Sequence, residues 1–144
     1  KYGQDLPGVE IVDVGAYLDD LADDQARNEA TCKERIERLG DWVDAFITDT
    51  YDPATGASGA TGKTHDWRIS RELRALSPKP VILAGGLTPE NVREAIAFVR
   101  PAGVDAHTGV EDAEGRKDPA RVRAFMAAAR EGFRRMRVTT GGNA

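Results

Sequence analysis

The feature that most constrains the fold is a fourfold alternation. Four short apolar runs rich in β-branched residues stand out: Val9-Glu10-Ile11-Val12-Asp13-Val14, Ala45-Phe46-Ile47-Thr48, Pro80-Val81-Ile82-Leu83-Ala84 and Gly103-Val104-Asp105-Ala106. Each is followed by a loop and then by a helical pattern. Behind the first, Cys32, Ile36 and Leu39 share one face; behind the second, Asp66 is placed to cap a helix running through Leu76 and stopped by Pro78. Behind the third, Thr88-Pro89-Glu90 supplies a capping hydroxyl, a proline for the first helical position and an acid for the first turn, with Val92, Ile96 and Val99 as the buried stripe. Behind the fourth, Asp118-Pro119 starts a long helix in which Val122, Phe125, Met126, Ala129 and Phe133 share a face. Connections this short leave parallel βαβ units with right-handed crossovers. The fold class is therefore α/β, either a small doubly wound sheet or parallel units of a TIM (β/α)8 barrel. One domain is expected over residues 1–138, with a loose tail over 139–144.

Both architectures place their chemistry at the C-terminal ends of the strands. That directs attention to Asp49, to Gly85-Gly86 and to His107-Thr108-Gly109. A glycine pair directly after a strand and before a helix start is either a tight turn or a place where backbone approaches a ligand. His107-Thr108-Gly109 precedes Val110-Glu111-Asp112, which suits a short extra helical turn. In barrels, the loops after the last two strands, together with such a turn, form a frequent phosphate site. Asp49 reads either as a loop-capping aspartate or, if it faces the sheet interior, as a general acid or base with a raised pKa. Asp105 is assigned to a structural hydrogen bond ahead of a role as second site carboxylate. Cys32 reads as core, and Lys63 as a solvated loop charge.

The stretch GASGATGKTHDW, residues 56–67, imitates a nucleotide-binding loop and is not one. In G-x-x-x-x-G-K-[ST] the first glycine makes the tight turn, and counting back from Gly62 puts Ala57 there. Gly56 is one residue too early, and the strand ends well before the loop instead of running straight into it. If Asp49 acts as an acid or base, a glycine-rich loop behind its strand suits a lid over a substrate.

Composition narrows the partners. A formal net charge of -4 gives no electrostatic basis for binding nucleic acid or an anionic membrane, and no apolar run approaches the ~20 residues of a membrane span. The single cysteine excludes an internal disulfide and a cysteine-rich metal site. With no signal peptide visible, a reducing, cytoplasmic setting is expected. His65 and His107 are too far apart to suggest a metal centre, so no metal is expected.

Five segments in order, Asp44 to Thr50, Gly59 to Trp67, Ile82 to Val92, Gly103 to Glu111 and Gly115 to Asp118, resemble the phosphoribosylanthranilate isomerase family of tryptophan biosynthesis. The resemblance covers about 100 residues, from the sixth strand to the last helix of that barrel; residues 1–43 fit the fifth strand and helix weakly. It implies a cofactor-free Amadori rearrangement of a phosphorylated sugar, N-(5-phosphoribosyl)anthranilate, to an aminoketose. Asp49 takes the place of the family's acid, and Gly85, Gly86, His107, Thr108 and Gly109 stand at its phosphate loops. Three departures accompany the resemblance. The family's cysteine base and anthranilate-binding arginine belong to an N-terminal half that this chain does not contain, and Cys32 cannot replace the base. His107-Thr108 stands where two serines are usual, and Ala60 replaces a loop glycine.

Four strands, numbers five to eight of such a barrel, cannot close by themselves and leave both edges unpaired. Because the chain begins at Lys1, a C-terminal portion of a longer protein is expected, ahead of two copies pairing to rebuild a barrel. Besides isomerisation, the sequence leaves open a non-catalytic phosphosugar-binding half-barrel and an isomerase acting on a related phosphorylated sugar.

Overall fold

The structure, a computed structural model, describes residues 11–13, 34, 36–49, 51–52, 57–58 and 66–140. In chain order they form β1 (Ile11–Asp13), β2 (Ala45–Thr48), β3 (Tyr51–Asp52), β4 (Ala57–Ser58), α1 (Trp67–Leu76), β5 (Val81–Leu83), α2 (Val92–Val99), β6 (Gly103–Val104) and α3 (Pro119–Thr140). Residues 36–40 are also helical, and a 3-10 turn covers Thr108–Val110. The sheet order is β1-β2-β5-β6, every neighbouring pair is parallel, and the order follows the chain without reversal. The expected α/β fold of parallel units is present.

Side-chain alternation explains the layers. Phe46 and Val81, cross-strand partners, pack with Ile36, Val43 and Leu73 on the helical side of the sheet. Leu83 opens a second cluster with Leu87, Val92, Ile96, Val99, Phe125 and Ala129, which joins the sheet to α2 and α3. All four residues of β2 are buried, as a parallel strand covered on both faces requires. α2 and α3 approach closely at Gly132, where a Cβ would lie 3.0 Å from Ile96 Cδ1 and 3.4 Å from the Arg93 Cα.

The helix boundaries follow local chemistry. Asp66 accepts from the Arg68 N–H at 3.0 Å and α1 ends at Ser77, before Pro78. Asp118 Oδ1 accepts from the Ala120 N–H at 2.7 Å, one residue into a helix that opens on Pro119. At the third helix the expectation is corrected. Thr88 does accept from the Glu90 N–H, at 3.2 Å, but residues 89–91 form a turn and the regular helix starts only at Val92.

Other differences are smaller. As regular strands, β5 and β6 are shorter than their apolar runs. β3 and β4 pair as an antiparallel ribbon within what reads as loop. Thr139 and Thr140, expected in the tail, are helical. On α3, Phe125 and Ala129 are buried, but Val122 and Met126 are exposed, since the apolar stripe is wider than the surface that α2 covers. Cys32, Gly56, Ala60, Lys63 and His65 lie outside the described residues. Among the described residues, no helix is long and apolar enough to cross a membrane.

Candidate functional site

The ladder continues one residue past the regular strands. Ala84 N–H donates to the Thr48 carbonyl at 2.7 Å and Asp105 N–H to the Leu83 carbonyl at 2.9 Å, so Asp49, Ala84 and Asp105 lie at one level. Thr48 faces the helices, where the Ser70 hydroxyl of α1 donates to its Oγ1 at 3.1 Å. By the two-residue period Asp49 therefore faces the other way, with Ile47. Gly103 shares that face, since a Cβ on it would lie 3.7 Å from Ile82 Cγ1, and Asp105 two residues on returns to it. Two strand spacings, roughly 10 Å, separate the two backbone positions.

All six residues expected at the site, Asp49, Gly85, Gly86, His107, Thr108 and Gly109, line one cleft at the C-terminal ends of β2, β5 and β6; Leu87 and Asp105 complete it. Asp49 is buried. Burial also pushes the Asp105 carboxyl above its ordinary value, against the opposing pull of the His107 and Lys117 charges. Asp105 thus belongs to the cleft, where the sequence favoured a structural hydrogen bond.

The two loops are built to bring backbone to the cleft. Gly85 and Gly86 have φ of 88° and 61°, a left-handed conformation that strains any other residue. Asn91 holds their turn, accepting from the Thr88 N–H at 2.8 Å and donating to the Gly86 carbonyl at 3.0 Å. Gly109 is glycine for another reason: a Cβ there would lie 1.8 Å from the Leu87 carbonyl oxygen, so the two loops touch backbone to backbone. Among the described residues, the N–H groups of Gly85, Gly86, Thr108 and Gly109 donate to no protein acceptor. Converging free amides of this kind suit an anion. The extra turn expected at Val110-Glu111-Asp112 falls two residues earlier, as the 3-10 turn Thr108–Val110.

His107 is half-exposed. Its Nδ1 lies 3.2 Å from Glu111 Oε1, which also takes Lys117 Nζ at 2.7 Å, while Lys117 donates to the His107 carbonyl at 2.9 Å. One imidazole nitrogen is thus engaged by Glu111, and the loop is tied to the Glu111–Lys117 bridge.

Sequence reasoning missed Arg121. Its Nε and Nη2 donate to the Gly109 carbonyl at 3.1 and 3.0 Å, and Nη2 also reaches Glu90 Oε2 at 3.3 Å. A signal was present: an arginine in the first turn of a helix opposes the helix dipole, which marks a charge wanted for something else. Asn91 carried no comparable signal, because its partners are backbone groups of a loop whose path only the fold defines. Among the described residues, no group of three or more His, Cys, Asp or Glu side chains is arranged to hold a metal ion. The cleft therefore combines a buried carboxylate with backbone amides that have no protein acceptor among the described residues.

Comparison with known proteins bears on this geometry. The family model described as N-(5'phosphoribosyl)anthranilate (PRA) isomerase matches residues 24–128. The chain is 52% identical over 102 residues to N-(5'-phosphoribosyl)anthranilate isomerase of Haloferax volcanii, an alignment covering 71% of this chain and 45% of that protein. It is 53% identical over 95 residues to N-(5'-phosphoribosyl)anthranilate isomerase 2 of Methanosarcina mazei, covering 66% and 42%. Among solved structures, phosphoribosyl anthranilate isomerase of Thermotoga maritima superposes with a TM-score of 0.57 at 31% identity, covering 85% of this chain and 51% of that one. The Pyrococcus furiosus isomerase gives 0.56 at 27%, covering 86% and 64%. The chain spans less than half the length of these two curated relatives. On a family match that runs through all three strand ends of the cleft, the chain belongs to the N-(5'-phosphoribosyl)anthranilate isomerase family.

Proposed function

We propose that the chain is the C-terminal half, strands five to eight, of a TIM (β/α)8 barrel that isomerises N-(5'-phosphoribosyl)anthranilate in tryptophan biosynthesis, in the cytoplasm. The observation that carries the reading is the single cleft uniting Asp49, Gly85-Gly86 and His107-Thr108-Gly109 at adjacent parallel strand ends. The half-barrel is supported by a strand order without reversal and by the exposed Val122 and Met126 on α3, where a further helix would pack. The partner that completes it is an N-terminal half, ahead of a second copy of the chain.

In this reading the substrate phosphate rests on the free amides of the two glycine loops, with His107 beside it. Asp49 protonates the ribose ring oxygen, the C1–O bond breaks, and the anthranilate nitrogen lone pair forms the Schiff base. A base from the N-terminal half then removes the C2 proton, and the resulting enolamine takes up a proton at C1 while its C2 hydroxyl gives one up, which leaves the aminoketose. No atoms are gained or lost, and no cofactor is needed.

The test is turnover of phosphoribosylanthranilate by the whole protein. Asp49→Asn is expected to lower kcat by about 10²- to 10⁴-fold, the usual contribution of a general acid; retained turnover in that variant refutes Asp49 as the acid. Thermal stabilisation by phosphate without any turnover would instead point to a phosphosugar-binding domain that has lost its chemistry.

A further inference from the structure

We infer that Arg121 is a positioning residue of the anion pocket, holding in place, through the Gly109 carbonyl, the loop that carries the Thr108 and Gly109 amides. The inference rests on the reading of the cleft as a phosphate site. Two guanidinium nitrogens converge on one carbonyl oxygen, at 3.1 and 3.0 Å, which defines the plane of the peptide that follows Gly109 as a single hydrogen bond cannot. The same guanidinium reaches Glu90, in the turn that leads from the Gly85-Gly86 loop into α2. The two amide-bearing loops are thus laced at two points, by the contact of Gly109 with the Leu87 carbonyl and by Arg121 on the outer side. Amides from two different loops can grip one anion only if their separation is set before the anion arrives.

The arrangement is poorly explained as a stabilising ion pair. Arg121 and Glu90 side chains are 37% and 68% exposed, and pairs so open to solvent contribute little. Arg121 also stands in the first turn of α3, where the helix dipole disfavours a cation. A hydrogen bond with Thr88, together with its own backbone N–H and Arg121, holds the Glu90 carboxyl below its ordinary value. What the guanidinium gains at this place is the Gly109 carbonyl, and that contact acts on ligand binding.

The experiment uses the whole protein and inorganic phosphate, titrated by calorimetry, with thermal melts alongside. Arg121→Ala is expected to weaken phosphate binding about tenfold, the loss of one charge-assisted hydrogen-bond set. Arg121→Lys should recover only part of this, because one ammonium cannot hold both Gly109 and Glu90, and Glu90→Gln should lose less than Arg121→Ala. In the isomerase assay, KM should rise by the same factor while kcat changes less than about twofold. Phosphate affinity unchanged in Arg121→Lys and Arg121→Ala overturns the inference, as does a loss in both that tracks only a lowered melting temperature. If the unsubstituted protein binds phosphate but turns nothing over, the isomerase reading falls and a tenfold phosphate ratio still upholds the role of Arg121. If the unsubstituted protein binds no phosphate, the inference falls with the site.

Discussion

Gly109 and Gly115 are both glycines within one loop region, for opposite reasons. Gly115, at φ 75°, has nothing within 4 Å of the place a Cβ would take and needs glycine for its backbone conformation. Gly109 needs it for space, because its Cα presses on the Leu87 carbonyl, and backbone cannot step aside as a side-chain tip can. Gly109→Ala is therefore expected to cost about 1–3 kcal/mol, the usual penalty of overpacking, and to loosen phosphate binding with it; a denaturant midpoint and a phosphate titration check both. Asp105 makes a pH prediction. Burial raises its carboxyl in the folded chain above the ordinary value of 3.8, so folding favours the neutral acid. That contribution is complete below the ordinary value and is lost as pH rises through the raised one. Asp105→Asn, which stays neutral, should match the parent near pH 3 and melt at a higher temperature at pH 7; melting curves whose separation does not widen with pH would sink this account.

The elements end where their chemistry tells them to, with one exception that offers a test. α2 closes on Arg100, held at φ 57° and ψ 48°, the left-handed cap position that glycine or asparagine ordinarily takes. Among the described residues its Nη2 is also buried with no hydrogen-bond partner. A left-handed non-glycine residue costs roughly 1–2 kcal/mol, so Arg100→Gly is expected to stabilise the fold by about 1 kcal/mol, read as a raised denaturation midpoint. A destabilised variant would mean that the arginine stem contributes more packing than its head loses. The start of α2 was legible only in outline. Thr88, Pro89 and Glu90 carry the expected pattern, yet Asn91 bonds back to Thr88 and Gly86 and holds those residues in a turn ahead of the helix.

At the scale of the whole molecule, β1 and β6 are the outer strands of the described sheet, and Val122 and Met126 lie exposed on the last helix. Outer strand edges and exposed apolar side chains are association surfaces. If the chain is a half-barrel, the chain alone should sediment above its 15.6 kDa mass, and the whole protein should give a single compact species. A monodisperse, cooperatively melting 15.6 kDa monomer would argue against the half-barrel. The sequence by itself determined the strand–helix alternation, the three strand ends where Asp49, Gly85-Gly86 and His107-Thr108-Gly109 fall, and the resemblance in which those residues stand in order. These are local properties, written in periods of two and 3.6 and in short motifs. Only the tertiary structure decided that the three strand ends share one cleft, that Asp105 joins it, and that Arg121 reaches back to Gly109. Those follow from strand register and helix packing, which are fixed by contacts between residues distant in the chain, and no local pattern encodes them.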